Sequence, residues 1–135
     1  MFRFLTALLV LGATTASAQQ FTTAQEVRPL LTATRGNWVA VRVYDGQDLI
    51  YFTHLESWRC GLSEVRFSVN GGAEQSWPLE KCYEDEPAPN AIKGGNGLPY
   101  AVQPLNSIQT VRVRVIYDDG STDSVSLERG AILIP

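Results

Sequence analysis

Residues 58–82 read WRCGLSEVRFSVNGGAEQSWPLEKC, and their pattern decides the fold class. Val65, Phe67 and Val69 alternate with Glu64, Arg66 and Ser68, the period of a half-buried strand. Asn70-Gly71-Gly72 is a turn signal, and residues 73–79 return. With those three residues as the loop and Gly72 in the left-handed position, Val69 faces Ala73, Val65 faces Trp77 and Ser63 faces Leu79. The apolar side chains then share one face, as burial requires. A two-residue Gly71-Gly72 loop sets Arg66 against Trp77 and is rejected. At the base, this register brings Cys60 opposite Cys82. Opposed antiparallel residues lie about 4.5–5.5 Å apart at Cα, inside the usual disulfide span of about 4.4–6.8 Å. The expectation is a stapled hairpin, with loop closure worth about 3 kcal/mol.

A second hairpin follows from residues 110–128. Val111, Val113 and Val115 alternate with Arg112, Arg114 and Ile116. A three-residue Asp118-Asp119-Gly120 loop sets Val113 against Val125 and Val111 against Leu127, and places Arg112 and Arg114 opposite Ser126 and Ser124. Both hairpins are expected to use one loop type.

Upstream, residues 37–44 read as a strand with Val39, Val41 and Val43 on one face and Trp38, Arg42 and Tyr44 on the other. Asp45-Gly46 marks a turn. Residues 49–54 return as a strand apolar on both faces, expected to be central and covered on both sides. Thr23-Ala24-Gln25-Glu26 matches a helix capping box, so residues 19–36 form a lead-in or a short helix, with Pro29 required in its first turn. After Cys82 the alternation stops. Residues 83–104 hold Glu84, Asp85, Glu86, four prolines and Gly94-Gly95-Asn96-Gly97. So long a structureless loop is uncommon in a compact domain and is a place to look for a site. Residues 131–134 are expected to add a short edge strand.

The first residues are a leader. Arg3 gives a positive start, residues 4–12 an apolar run too short for a membrane span, and Ala16-Ser17-Ala18 a small-residue cleavage pattern. Residues 1–18 are read as a signal peptide, with Gln19 the mature start. The chain has a formal net charge of −3, one unit more negative without Arg3, and so lacks a nucleic-acid footprint. Two cysteines read as one disulfide in an oxidising compartment, periplasmic or extracellular. No cofactor or metal is implied, because zinc needs about four ligands and His54 is the only other soft candidate.

Candidate chemistry is sparse. His54 is the single histidine, and no Gly-x-Ser-x-Gly motif accompanies it; a structural strand-end histidine is the better reading. Glu84, Asp85 and Glu86 lack the alternating spacing of a calcium loop. Residues 94–97 have no following Lys-Ser/Thr for a phosphate loop. Trp38, Trp58 and Trp77, with Tyr44, Tyr51, Tyr83 and Tyr100, are candidate platform aromatics for a sugar or a partner, against the more common fate of core packing. Trp77 is assigned to the buried face by its register. Arg42, Arg66, Arg112 and Arg114 make one basic stripe if their strands share a sheet, and a solvated face with ion pairs otherwise.

Residues 65–79 (VRFSVNGGAEQSWPL) and 111–125 (VRVRVIYDDGSTDSV) resemble hairpins of immunoglobulin-like and fibronectin-type domains of exported bacterial proteins. The expected fold is all-β: a small immunoglobulin-like or fibronectin-III-like antiparallel β-sandwich of about seven strands, spanning residues 37–135 as one domain. A disulfide closing one hairpin departs from the inter-sheet bridge of antibody domains. The expected function is a non-catalytic binding domain of the cell envelope or exterior, taking an unidentified protein or polysaccharide. A carbohydrate-binding module and an inhibitor of a secreted hydrolase are the alternatives. Candidate contact residues are Trp38, Arg42, Tyr83, Glu84, Asp85, Glu86, Asn96 and Tyr100, with Cys60–Cys82 as the disulfide.

Overall fold

The structure is a computed structural model that describes residues 8–12 and 20–135. The expected cleavage after Ala18 and the mature start at Gln19 lie outside the described residues. Leu8, Leu9, Val10 and Leu11 stand exposed, away from the core. No described helix is long and apolar enough to cross a membrane.

Helix α1 (Ala24–Ala33) begins where the capping box predicts. The Thr23 hydroxyl accepts the Glu26 N–H at 3.2 Å, and the Glu26 carboxylate takes the Thr23 hydroxyl and the Phe21 N–H. Pro29 lies inside the helix and not in its first turn. It is exposed, while Val27 and Leu31 are fully buried, and their burial, about 1.5–3 kcal/mol each, offsets the missing backbone bond. Val27 packs directly on Gly61: a Cβ there would lie 2.3 Å from a Val27 methyl and 2.7 Å from the Thr23 carbonyl oxygen. Gly61 is therefore fixed by close approach.

Seven strands follow: β1 (Ala40–Tyr44), β2 (Gln47–Tyr51), β3 (Leu62–Val69), β4 (Gln75–Trp77), β5 (Tyr100–Pro104), β6 (Thr110–Tyr117) and β7 (Thr122–Glu128). They form two antiparallel sheets, ordered β1-β2-β5 and β4-β3-β6-β7. The chain crosses between sheets after β2, β4 and β5, and the inward side chains of both sheets make one core. Val41 and Ile50 supply it from one side, and Val65, Phe67, Val111, Val113 and Val115 from the other. Phe52 bridges them, with its ring 4.8 Å from Phe67 and 5.0 Å from Trp77.

The second hairpin has the expected register throughout, with Val113 opposite Val125, Val111 opposite Leu127 and Gly120 at φ 82°. The first has Val65 opposite Trp77 as expected, but a different turn. Asn70 and Gly71 take φ 54° and 72°, and Gly72 does not adopt the left-handed region. Asn70 is held there by its own carboxamide, which accepts the Gln109 and Thr110 N–H groups and donates to the Ser107 carbonyl. The two hairpins therefore differ in loop type. The β3–β4 ladder spans only Val65–Phe67 with Gln75–Trp77. Cys60 and Cys82 are bonded, Cα atoms 5.0 Å apart, but beyond that ladder: Cys60 sits in a 3₁₀ turn (Arg59–Gly61). The bridge thus ties a turn to the segment after β4, and Ser63 and Leu79 are not paired.

Other expectations are corrected. Trp38 follows a 3₁₀ turn (Arg35–Asn37), adopts a helical conformation and precedes β1, so the strand alternation does not reach it. His54 lies in a one-turn helix, α2 (Thr53–Glu56), because β2 ends at Tyr51. Residues 131–134 form no strand. A helical turn, α3 (Arg129–Ile132), leads to a single parallel bridge between Leu133 and Val41, and the Ile134 N–H donates to the Val41 carbonyl at 2.9 Å. β2 is central in its sheet as expected; the core covers its inner face, and on its outer face Leu49 is buried, Tyr51 half-buried and Gln47 exposed.

Candidate functional site

The segment 78–99 is packed, which the sequence did not reveal. Its anchor is Arg59, 2% exposed, whose guanidinium donates to the carbonyls of Glu56, Glu80, Lys81, Asn90 and Ala91 and to the Glu80 carboxylate at 3.1 Å. Glu80 also accepts the N–H groups of Lys93 and Gly95. Burial pushes its pKa up, but those N–H groups and Arg59 outweigh this, so it lies below the usual value. Glu56 accepts Trp77 Nε1 at 3.0 Å and the Asn96 carboxamide at 2.8 Å. Residues 78–99 are thus a strap bonded to a buried ionic centre.

Most candidate residues of this segment serve the strap. Asn96 bridges Glu56 and the Pro78 carbonyl. The Tyr83 ring carries the Lys93 ammonium 4.1 Å from its centroid and that of Lys81 at 5.1 Å. Glu86 pairs with Lys93. Glu84 and Asp85 are exposed at its tip. Trp38 is removed from any surface role: it is fully buried and its Nε1 donates to the Leu31 carbonyl at 3.0 Å, closing the end of α1.

Arg42 and Tyr100 come together elsewhere, on the outer face of the β1-β2-β5 sheet. The paired registers place nine side chains there in three rows: Ala40, Tyr51 and Tyr100; Arg42, Leu49 and Val102; Tyr44, Gln47 and Pro104. One of the nine is charged. Tyr44 is 57% and Val102 47% exposed, the Tyr51 and Tyr100 rings lie 5.6 Å apart, and Arg42 stacks on Tyr44, 4.8 Å from its centroid. Beneath, Asp48 is fully buried and fixes the sheet: it accepts the Asn106 and Ile108 N–H groups and the Arg129 guanidinium at 2.6 Å. These bonds, Arg129 first, hold its pKa down to about 2.

At one end of this face is an open cleft of about 370 Å³, reaching from Ala40, Arg42 and Tyr51 to Asn37, Thr53 and His54. His54 Nε2 is 2.8 Å from the Thr34 hydroxyl, which itself donates to the Leu30 carbonyl. The hydroxyl must therefore accept from Nε2–H, leaving Nδ1 as a lone pair. Burial lowers the His54 pKa, favouring that neutral form. Strand reasoning on residues 37–44 and 49–54 reached Tyr44 and Tyr51 and set His54 at a strand end; Val102 was not placed by it. Alternation in residues 100–103 between prolines 99 and 104 was the available signal for β5.

The remaining arginines do not form one stripe. Arg66 and Arg114 are cross-strand partners that share Glu74, and Arg66 also binds Glu64 at 2.7 Å. Arg42 belongs to the other sheet. Compared with known proteins, the chain matches no family model, no curated protein and no solved structure.

Proposed function

We propose that this is an exported, non-catalytic binding domain of the cell envelope or exterior, and that it contacts its ligand with the outer face of the β1-β2-β5 sheet. The observation that carries the reading is that face itself: nine positions with three tyrosines and one charge. Solvated sheet faces are ordinarily polar in alternation with the core, and contiguous exposed apolar surface marks interaction sites. The apolar leader and the disulfide support export. The fold is read as fibronectin-III-like. Its strand order is that of an immunoglobulin constant domain with the fourth strand moved to the opposite sheet.

Amide hydrogen exchange on the oxidised protein, alone and with cell-envelope extract, tests this reading. Added protection is expected in residues 43–47 and 102–105, which border the face, with residues 83–97 unchanged. Protection confined to residues 83–97 would move the contact to the strap and overturn it.

A further inference from the structure

Resting on that reading, we propose that the cleft beside Arg42 takes a uronic acid unit of an acidic polysaccharide, with Arg42 as the counter-charge of the sugar carboxylate.

Charge is the first argument. Arg28, Arg35, Arg59, Arg66, Arg114 and Arg129 are each ion-paired within the fold. Among the described residues Arg42 and Arg112 have no carboxylate partner; Arg112 donates to the Ser124 hydroxyl at 3.5 Å, whereas Arg42 makes no hydrogen bond and rests on the Tyr44 ring. No carboxylate lines the cleft, and none lies on the sheet face that continues from it. A guanidinium held by an aromatic stack keeps its planar fork of donors free, the geometry that matches a carboxylate.

The second argument is the mixture of polar groups around an apolar floor. Ala40 and the Tyr51 ring supply apolar surface, and the Tyr51–Tyr100 pair extends it along the sheet. The residues that line the cleft carry groups with no hydrogen-bond partner among the described residues: the Thr53 hydroxyl, the Asn37 carboxamide, the Tyr51 phenol and His54 Nδ1. Three can donate, and Nδ1 can only accept while His54 is neutral. A ligand satisfying this set carries hydroxyls that both donate and accept, a face of C–H groups to lie on tyrosine, and one negative charge. A pyranose with a carboxylate has all three. A bare sulfate has no hydroxyl for Nδ1, and neither sulfate nor inorganic phosphate has a face of C–H groups to cover the floor. A peptide ending in a carboxylate satisfies the charge but leaves the clustered polar rim to chance.

The cleft is large enough for one such unit and open towards the rest of the face, so a chain of sugars would run on over Tyr100 and Val102. Recognition at one unit with extension along a flat sheet gives weak, additive binding to a polymer, the regime in which multivalency raises retention.

The test titrates a trigalacturonate, and its uncharged methyl ester, into the isotopically labelled oxidised protein, followed by backbone and tyrosine shifts. The acid is expected to shift Ala40, Arg42, Tyr51, Thr53 and His54, and to bind at least tenfold more tightly than the ester. Arg42→Gln, which removes no hydrogen bond or ion pair of the fold and keeps part of the side chain opposite Leu49, should make acid and ester equal. Equal binding of both by the unaltered protein would overturn the role of Arg42. No shift with either sugar, against clear shifts with an acidic peptide bearing a free carboxyl terminus, would overturn the sugar assignment. The exchange experiment with envelope extract reads the face independently, so a failed sugar assignment is distinguishable from a failed binding face.

Discussion

The outer faces of the two sheets are built from the same alternation and end in opposite chemistry. On β4-β3-β6-β7 the outward rows are Ser76, Arg66, Arg114 and Ser124, with Ser68, Arg112 and Ser126 beside them. There Glu74 joins Arg66 to Arg114 and is held down to a pKa of about 2, by Arg114 first. Arg66 and Arg114 are thus paired within the fold, and Arg112 has only the Ser124 hydroxyl. On β1-β2-β5 the corresponding rows are tyrosine, leucine, valine and proline around a single arginine without an acid. Both cover the same core from outside, so core packing cannot explain the difference. The polar face is what a sheet needs to stay dissolved; the open face is what a sheet needs to hold something.

The largest expected effect tests whether the open face is simply waiting for the strap to fold over it. Arg59→Met leaves Glu80 buried without its cation, and removal of one partner of such a pair costs roughly 3–5 kcal/mol. Urea unfolding of the oxidised protein should show that loss. A cost under about 1 kcal/mol would mean that the strap is loosely held and free to cover the sheet. The comparison would then break.

A smaller, pH-dependent effect comes from the floor of the open face. Asp48 ionises in the fold near 2, below its ordinary 3.8, so it contributes stability above pH 4 that is lost as pH falls from about 4 to 2. The loss should be of order 2 kcal/mol, and should vanish in Asp48→Asn, which is itself less stable at neutral pH. An unchanged acid limb in that variant would contradict the assignment. At Gly61, a substitution by Ala forces a methyl against Val27 and should cost about 1–3 kcal/mol, read as a lowered melting temperature with the open face unaffected.

The smallest effect on stability sharpens the comparison most. Tyr44→Ser with Val102→Ser removes exposed apolar surface and should leave unfolding free energy within about 0.5 kcal/mol of the starting protein. Glu74→Ala on the polar face should lower stability while leaving binding intact, because it separates two arginines from their shared carboxylate.

Much of this architecture was legible because strand alternation is a local code. The β6–β7 register followed from valines at 111, 113 and 115 and one glycine at 120. Legibility failed where a non-local contact overrode the local pattern. Trp38 continues the alternation of β1 on paper, but its indole lies in the core and joins the Thr34 N–H on the Leu31 carbonyl at the end of α1. Asn70 rather than Gly72 takes the left-handed turn because the β5–β6 connection supplies partners for its carboxamide. β5 was hidden among prolines and glycines, and with it the row that joins Tyr51 to Tyr100. Arg42 and Tyr100 could be named singly from the sequence. Their shared face required β2 between them.

The most direct measurement compares retention of the oxidised protein on cell-envelope material for three forms: unaltered, Tyr44→Ser/Val102→Ser, and Arg112→Ser/Ser126→Ala. The expected result is retention by the first and third and at least a tenfold loss in the second, with all three unfolding alike. Equal retention of all three, or loss confined to the third, would contradict the assignment of the open face.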